Sequence, residues 1–466
     1  MHNTAALTDQ KRTLIFINIV ITCVATSMLA TALTTALPAV IADLNISVTT
    51  GQWLTSGYSL AMGIVMPLTA FLITRLPTRR LYLSGLGLFI AGLLLSILAP
   101  NFPVMMLSRI LQAGGNGILT SMAQVIILTI YPAKKRGSAM GWYGLSVGAA
   151  PVIAPTIAGL IVDWIGWRGI FILAGALIAV ALLWAWFVFD NVLDTQEKQF
   201  DTCSFLISIF AFGGITLGIG NIGSYPFVSP QVLLVLLPGI AAAVFFVHRQ
   251  LHLDEPFLEL RILREKNYAI SVLGSMLLYL VMMGSSILMP LYVQTILRRS
   301  ATFSGLVVLP GSLAMAIVSP FAGRIYDKLG IKLLFTGGSL CMLLSNLSLF
   351  FVTTETPVLA ASLCNVVRNI SIGCLMMPLV TWGTGSIRQD LTAHGTALLT
   401  SLRTMAGAIG TAVFVGIMNA VAAGFPQSSS SAALMLGFNV AFLCMSVFTL
   451  LLLLLGIFGI KPNDRA

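Results

Sequence analysis

The stretch SLAMGIVMP (Ser59–Pro67) returns as SLAMAIVSP (Ser312–Pro320), seven of nine residues identical and 253 positions further along the chain. Both copies sit inside long apolar runs, and each is followed by a short basic loop, Arg75 to Arg80 after the first and Lys328 to Lys332 after the second. A chain that carries half of itself twice within a membrane is built as two halves that rock about a central site. That repeat decides the architecture, and the rest of the sequence is consistent with it.

Hydrophobic residues make up 58% of the 466 residues and charged residues only 9%, where a water-soluble domain carries about a quarter charged. No polar segment is long enough to form a soluble domain, and the longest, His248 to Tyr268, reads as a connector. A Gly-x-x-x-x-Gly-Lys-Ser/Thr phosphate loop is absent, which excludes the usual nucleotide-driven transport. Energy must come from an ion gradient or from the substrate's own gradient. Cys23, Cys203, Cys341, Cys364, Cys374 and Cys444 all fall in apolar runs without paired spacing, and they read as small buried hydrophobes. Lys11 and Arg12 precede an apolar run long enough to span, with no small-residue cleavage site, so a retained first helix is expected.

A spanning helix needs about 20 mostly apolar residues. Fourteen runs qualify, near 14–36, 53–73, 81–99, 104–130, 139–162, 168–189, 204–222, 231–248, 268–293, 304–323, 333–352, 357–382, 395–421 and 433–460. The repeat falls in the second and tenth runs, so the halves are displaced by eight helices. Six helices per half plus a two-helix insert gives that displacement. The expected fold is therefore an all-α integral membrane protein: an N-terminal six-helix bundle over 1–195, an insert over 196–250, then a cytoplasmic connector and C-terminal six-helix bundle over 251–466, the two bundles pseudo-symmetric. With the N-terminus cytoplasmic, nineteen Lys and Arg lie inside, three (Arg168, Arg298, Arg299) lie outside and three lie within spans. Such a bias places both termini in the cytoplasm. The net charge of +10 is thereby assigned to membrane orientation, and no nucleic-acid partner is expected.

Several motifs carry a resemblance. The first span ends on Ala36-Leu37-Pro38, and the second opens with Trp53, Leu54, Tyr58 and Leu60. The fourth has Arg109-x-x-Gln112-x-Gly114, and the thirteenth begins HGTALLTSLRTMAGAIGTA. The fifth sets small residues around a Gly/Ala-Pro pair (Gly144, Gly148, Ala154, Pro155, Gly159) and ends on Trp167-Arg168. Over nearly its whole length the chain resembles the major facilitator superfamily, and within it the fourteen-helix drug:proton antiporter branch. The resemblance implies multidrug or amphipathic-compound efflux from the inner membrane by alternating access, no enzymatic activity and no cofactor beyond a proton gradient as energy source. The implied partners are a small-molecule substrate and the lipid bilayer, with a monomer as the expected unit.

In the fifth span Gly144, Gly148, Ala154, Ala158 and Gly159 recur near one face, where small residues let helices approach closely in lipid, and Pro151 and Pro155 permit a bend. Plain packing and a hinge-and-seal against the other half both fit this pattern. The loop after the tenth span, with Gly323, Asp327, Lys328, Gly330 and Lys332, matches the superfamily's Gly-x-x-x-Asp-Arg/Lys-x-Gly-x-Arg/Lys. Asp327 is the candidate latch, against the alternative of a solvated basic turn. The first-half loop has Ala70 and Thr74 where the pattern has Gly and Asp.

Arg109, Arg368 and Arg403 lie inside apolar runs, where an arginine costs at least about 2.5 kcal/mol and must face a cavity or a partner. They form the candidate substrate or proton pathway with Gln112, Asn116 and Asp163. The alternative for each arginine is a lock between helices. None of the fifteen carboxylates falls in mid-span, and Leu29 stands where many members of the branch carry an Asp. Asp163 is the best remaining proton carrier, with Asp43 and Asp327 next; pairing with Arg168 is the competing role for Asp163. Trp164 and Trp167 read as interface anchors. A facilitator or symporter for one metabolite is the second reading. An intramembrane enzyme would need a clustered catalytic set, and a sensor an output domain; the sequence has neither.

Overall fold

A computed structural model describes residues 8–193, 195, 200–222, 228–425 and 430–460. Lys198, Lys461 and Arg465, three of the nineteen cations counted as lying inside, fall outside the described residues. Within them run the α-helices α1 (Asp9–Asp43), α2 (Val48–Arg75), α3 (Thr78–Leu98), α4 (Phe102–Ile130), α5 (Ala133–Ile165), α6 (Arg168–Val188) and α7 (Thr202–Ile222). These are followed by α8 (Pro230–His252), α9 (Lys266–Leu291), α10 (Ala301–Leu329), α11 (Ile331–Phe350), α12 (Val358–Gly385), α13 (Thr392–Ala423) and α14 (Ser430–Gly459). Thirteen stretches among the described residues are long and apolar enough to cross a membrane, α5 being the long helix outside that set. The protein is a multi-pass membrane protein.

Local chemistry sets the helix ends. Thr8, Ser47, Asn101 and Ser300 each accept a hydrogen bond from the backbone N–H three residues on, starting α1, α2, α4 and α10. Gly166 (φ 85°) and Gly330 (φ 80°) close α5 and α10 in a left-handed conformation that favours glycine.

Helix pairing repeats along the chain. In the first half α1 packs on α5 and α6, α3 on α4 and α6, and α2 on α4. Eight helices later α9 packs on α13 and α14, α11 on α12 and α14, and α10 on α12. Each half has its own apolar core, one including Leu33, Phe89, Met122 and Phe171, the other Leu278, Phe335, Trp382 and Phe438. Between the halves run two seams, α5 against α10 and α2 against α13, so the repeated stretch lies in a seam helix both times. The first turns of α13 (Ala393, Ala397, Leu398, Leu399) belong to the first-half core with Ala70, Phe71 and Ile73 of α2, whereas Phe414 and Met418 further along α13 belong to the second.

Helices α7 and α8 pack on each other, and α7 touches α2 and α13. A polar knot ties their ends to the connector. Asp201 accepts from the Ser204 hydroxyl (2.6 Å), the Ser204 N–H (3.0 Å) and Arg249 (3.0 Å), and Gln250 joins Ser204 to the Leu258 N–H. Partial burial pushes the Asp201 carboxyl up, but Ser204 and Arg249 outweigh it and hold the group below its ordinary range. The connector continues as a 3-10 helix, Leu260–Arg264. The cysteines depart from the expectation of uniform burial: Cys23 is buried, whereas Cys203 and Cys341 are exposed on outer helix faces.

Candidate functional site

Arg109 is 1% exposed and held on every side. Its Nε donates to the Leu54 carbonyl (3.0 Å), its Nη1 to Gln112 Oε1 (2.6 Å), and its guanidinium lies 4.0 Å from the Tyr58 ring centre. Gln112 passes the contact to Ser96 (2.8 Å), and Asn116 donates to the Tyr58 hydroxyl (2.7 Å). These bonds join α2, α3 and α4, so Arg109 has the geometry of a lock between helices.

Arg368 is 2% exposed, with Nη2 bonded to Asn365 Oδ1 and the Phe442 ring 5.7 Å away. Its Nε and Nη1 have no hydrogen-bond partner. Asn369 folds back onto Asn365 (2.8 Å to its carbonyl), and Gly311 of α10 leaves room for both amides, since a Cβ there would stand 2.8 Å from each.

Arg403 shares the unpartnered nitrogens of Arg368 and differs from Arg109. It is 5% exposed, and its Nε and Nη1 are buried without a hydrogen-bond partner. The Tyr279 ring of α9 lies 4.8 Å away. Thr396, Thr400 and Arg403 share one face of α13, at i, i+4 and i+7. The hydroxyls of Thr396 and Thr400 are also buried without partners, as are Ser121 Oγ and Gln124 Oε1 on α4. A buried guanidinium presents five donors and costs several kcal/mol when it lacks an acceptor; a carboxylate or similar oxyanion would take two of those donors in a fork. The partners of the three arginines do not overlap: Leu54, Gln112 and Tyr58 hold Arg109, Asn365 and Phe442 meet Arg368, and Tyr279 lies by Arg403.

The α5–α10 seam has its own geometry. Gly137, Gly141, Gly144 and Gly148 stripe one face of α5 at i, i+4, i+7 and i+11. A Cβ on Gly141 would stand 2.6 Å from the Ser319 carbonyl, and one on Gly137 would stand 2.6 Å from that of Gly323. At Gly148 the nearest atom is the mobile end of Met315 (2.9 Å). Eleven residues further on the same stripe, Gly159 has nothing within 4 Å, and Gly63 in the first copy of the repeat also has nothing within 4 Å. The halves are pressed together at the N-terminal end of α5, and further along the helix Gly159 has open space beside it.

Asp327 closes the pressed end, its two carboxylate oxygens accepting the Gly137 N–H (2.8 Å) and the Ser138 N–H (2.7 Å). Its partners are backbone amides of α5, in place of the cations that a salt-bridge latch would use. Lys328 beside it is exposed. Ala154 and Ala158 turn away from this seam and line a cleft with Leu29 and Ala32 of α1, so the small residues of α5 serve two faces instead of one. The side chains of Pro151 and Pro155 lie outside the described residues. The sequence reading missed Gly137 and Gly141, although their Gly-x-x-x-Gly spacing signals close packing.

Asp163 is exposed at the far end of α5 and has no ion-pair partner among the described residues. The expected pairing with Arg168 is corrected: Arg168 Nη1 binds Asp43 (2.8 Å) and the Arg168 guanidinium also donates to the Ile97 and Ala99 carbonyls. Trp167 is corrected with it. The ring is buried and donates to Asp43 (3.2 Å), while Trp164 at 84% exposure keeps the position of an anchor. Among the described residues no carboxylate is buried, and Leu29 is sealed in the first-half core.

A family model described as Major Facilitator Superfamily matches residues 15–411. The chain is 35% identical over 436 residues to the uncharacterized MFS-type transporter YcnB of Bacillus subtilis, covering 94% of this chain and 92% of that one. It is 34% identical over 393 residues to the lincomycin resistance protein LmrB of Listeria innocua, covering 84% and 83%. The human organic anion transporter MFSD10 shares the fold, with a TM-score of 0.65 at 13% identity over 95% of this chain and 100% of that one.

Proposed function

The chain belongs to the Major Facilitator Superfamily, and on that premise we propose that it exports amphipathic organic compounds by alternating access, as a member of the fourteen-helix drug:proton antiporter branch. The observation that carries this reading is the α5–α10 seam, pressed shut around Gly141 with open space beside Gly159 further along α5, which we read as its outward opening. A central site reachable from one side only is what alternating access requires. The helix pairings that recur eight helices apart support two pseudo-symmetric six-helix bundles with α7 and α8 as insert. With the termini cytoplasmic, the shut end faces the cytoplasm and this conformer faces outward. Asp327 is then the cytoplasmic latch.

Arg403 sets the substrate class. Its Nε and Nη1, buried without hydrogen-bond partners, together with the lack of a buried carboxylate among the described residues, favour neutral or anionic compounds over dications. The relative named for lincomycin resistance supports efflux of an organic compound. Proton antiport is the coupling that the branch implies, with Asp163, Asp43 and Asp327 as candidate carriers. A second reading, a facilitator for one metabolite, is favoured by Leu29 in the place of the branch's acid and by the lack of a buried carboxylate.

Purified protein in liposomes, given an imposed pH gradient and a panel of cationic, neutral and anionic fluorescent compounds, tests both readings. Accumulation of neutral or anionic compounds that requires the pH gradient is expected. Stronger transport of a dication overturns the substrate class, and downhill flux indifferent to pH hands the assignment to the facilitator.

A further inference from the structure

Helices α7 and α8 are absorbed by neither the seams nor the arginines, yet they enclose a space. Between them, the connector and α13 lies a cavity of about 410 Å³, within the range of ligand pockets. Its walls are apolar, with Phe212 from α7, Phe246 from α8, and Leu398, Leu402 and Met405 from one face of α13. The only charged groups in its lining are Arg261 and Arg264 of the connector.

We propose that this cavity binds an anionic phospholipid of the cytoplasmic leaflet, an acyl chain lying along α7, α8 and α13 and the phosphate meeting Arg264. The placement in the cytoplasmic leaflet rests on the orientation given above. The two arginines have separate jobs. Arg261 is committed, with Nη2 donating to the Leu251 (3.2 Å) and Leu253 (2.8 Å) carbonyls and Nη1 3.8 Å from Glu259. It fixes the connector to the end of α8. Arg264 is exposed and has neither an ion pair nor a hydrogen bond among the described residues, so its fork is available to a phosphate.

A peptide in this cavity would bury backbone N–H and C=O groups against walls that offer no hydrogen-bonding partners apart from the guanidinium groups. A zwitterionic lipid would bring its own cation to the arginine. An anionic lipid matches both the walls and the charge, and the inner leaflet is where such lipids attract basic residues. The polar knot of Asp201, Ser204, Arg249 and Gln250 holds the cavity's framework in place. Because Leu398 belongs both to this cavity and to the first-half core, an acyl chain there braces the first turns of α13 against the first half. The insert thereby acquires a role: it completes a lipid site against the second half.

The test is native mass spectrometry of the full-length protein in mild detergent, with phosphatidylglycerol and phosphatidylcholine of matched chains. Wild type should retain phosphatidylglycerol at least fivefold over phosphatidylcholine. Arg264→Gln, a surface change that leaves packing intact, should erase most of that preference. Leu402→Trp, which fills the cavity, should reduce retention of both lipids, and excess inorganic phosphate should not displace the bound lipid. Equal retention of the two lipids by wild type overturns the proposal, as does a preference that survives Arg264→Gln. So does a photo-crosslinker at Met405 that captures another segment of this chain instead of lipid.

Discussion

Arg109 and Arg403 look alike in the sequence, each a lone cation in an apolar run, yet their surroundings assign them opposite energetics. Arg109 spends its donors on Leu54 and Gln112 and is stacked on Tyr58. Arg109→Leu strips two charge-assisted bonds from a buried site, and a loss of roughly 2–3 kcal/mol is expected, read as a lower midpoint in thermal unfolding. Arg403 has buried nitrogens without acceptors. Arg403→Gln removes an unsatisfied charge, so the midpoint should hold or rise, while affinity for anionic substrates falls roughly tenfold or more. A variant that unfolds early and still carries anions normally would show that Arg403 is structural. The sequence made all three arginines visible because charge in an apolar run is rare. It could not rank them, since Leu54, Tyr58 and Tyr279 reach them from other helices, and a one-dimensional pattern does not record such partners. The Asp43–Arg168 pair was misassigned for the same reason: Asp163 is near Arg168 in sequence, but Asp43 is near it in space.

At the level of helices, the α5–α10 seam was partly legible. Glycine spacing announced a close approach, and the loop pattern singled out Asp327, but neither could say where along α5 the approach is tightest. The glycine environments make that a graded prediction. Gly141 faces the backbone of Ser319 and Pro320, which cannot yield without moving α10, whereas the close neighbour of Gly148 is the flexible tip of Met315 (2.9 Å), with Ala316 Cα at an ordinary 3.9 Å. Gly141→Val should therefore abolish transport in correctly inserted protein, and Gly148→Ala should retain most of it, as measured by initial efflux rates normalised to membrane content. Equal damage from both would mean that the seam tolerates no volume anywhere. Asp327→Asn isolates the latch. An amide keeps the size but loses the charge facing the α5 amides, near the positive end of that helix. A shift of about 1–2 kcal/mol toward the conformer open at that end is expected, roughly 5–30-fold in population. Spin labels at the exposed Lys134 and Lys328 would report it as a second, longer distance; a single unchanged distance would leave Asp327 as an ordinary surface carboxylate.

For the molecule as a whole, the decisive quantity is the charge that crosses the membrane per transport cycle. Moving one elementary charge through 100 mV is worth about 2.3 kcal/mol, close to 50-fold in a steady-state concentration ratio. On the proposal that Arg403 is the central site, the carrier moves a bound monoanion outward with the inside-negative potential, whether or not a proton returns. The two readings then separate cleanly. If a proton enters for each anion that leaves, two charges move per cycle, and a pH gradient of one unit multiplies the ratio about tenfold at fixed potential. Should the carrier work as a facilitator, one charge moves and the same pH gradient changes nothing. Antiport further requires that one carboxylate titrate during the cycle, and among the described residues the candidates all lie at helix ends or in loops. Neutralising Asp163, Asp43 and Asp327 in turn should therefore abolish the pH dependence in one variant while leaving the potential dependence at one charge. If the wild-type ratio follows the potential alone, the apolar Leu29 at the heart of α1 means that this chain has kept the superfamily's rocking halves without a proton carrier in that helix.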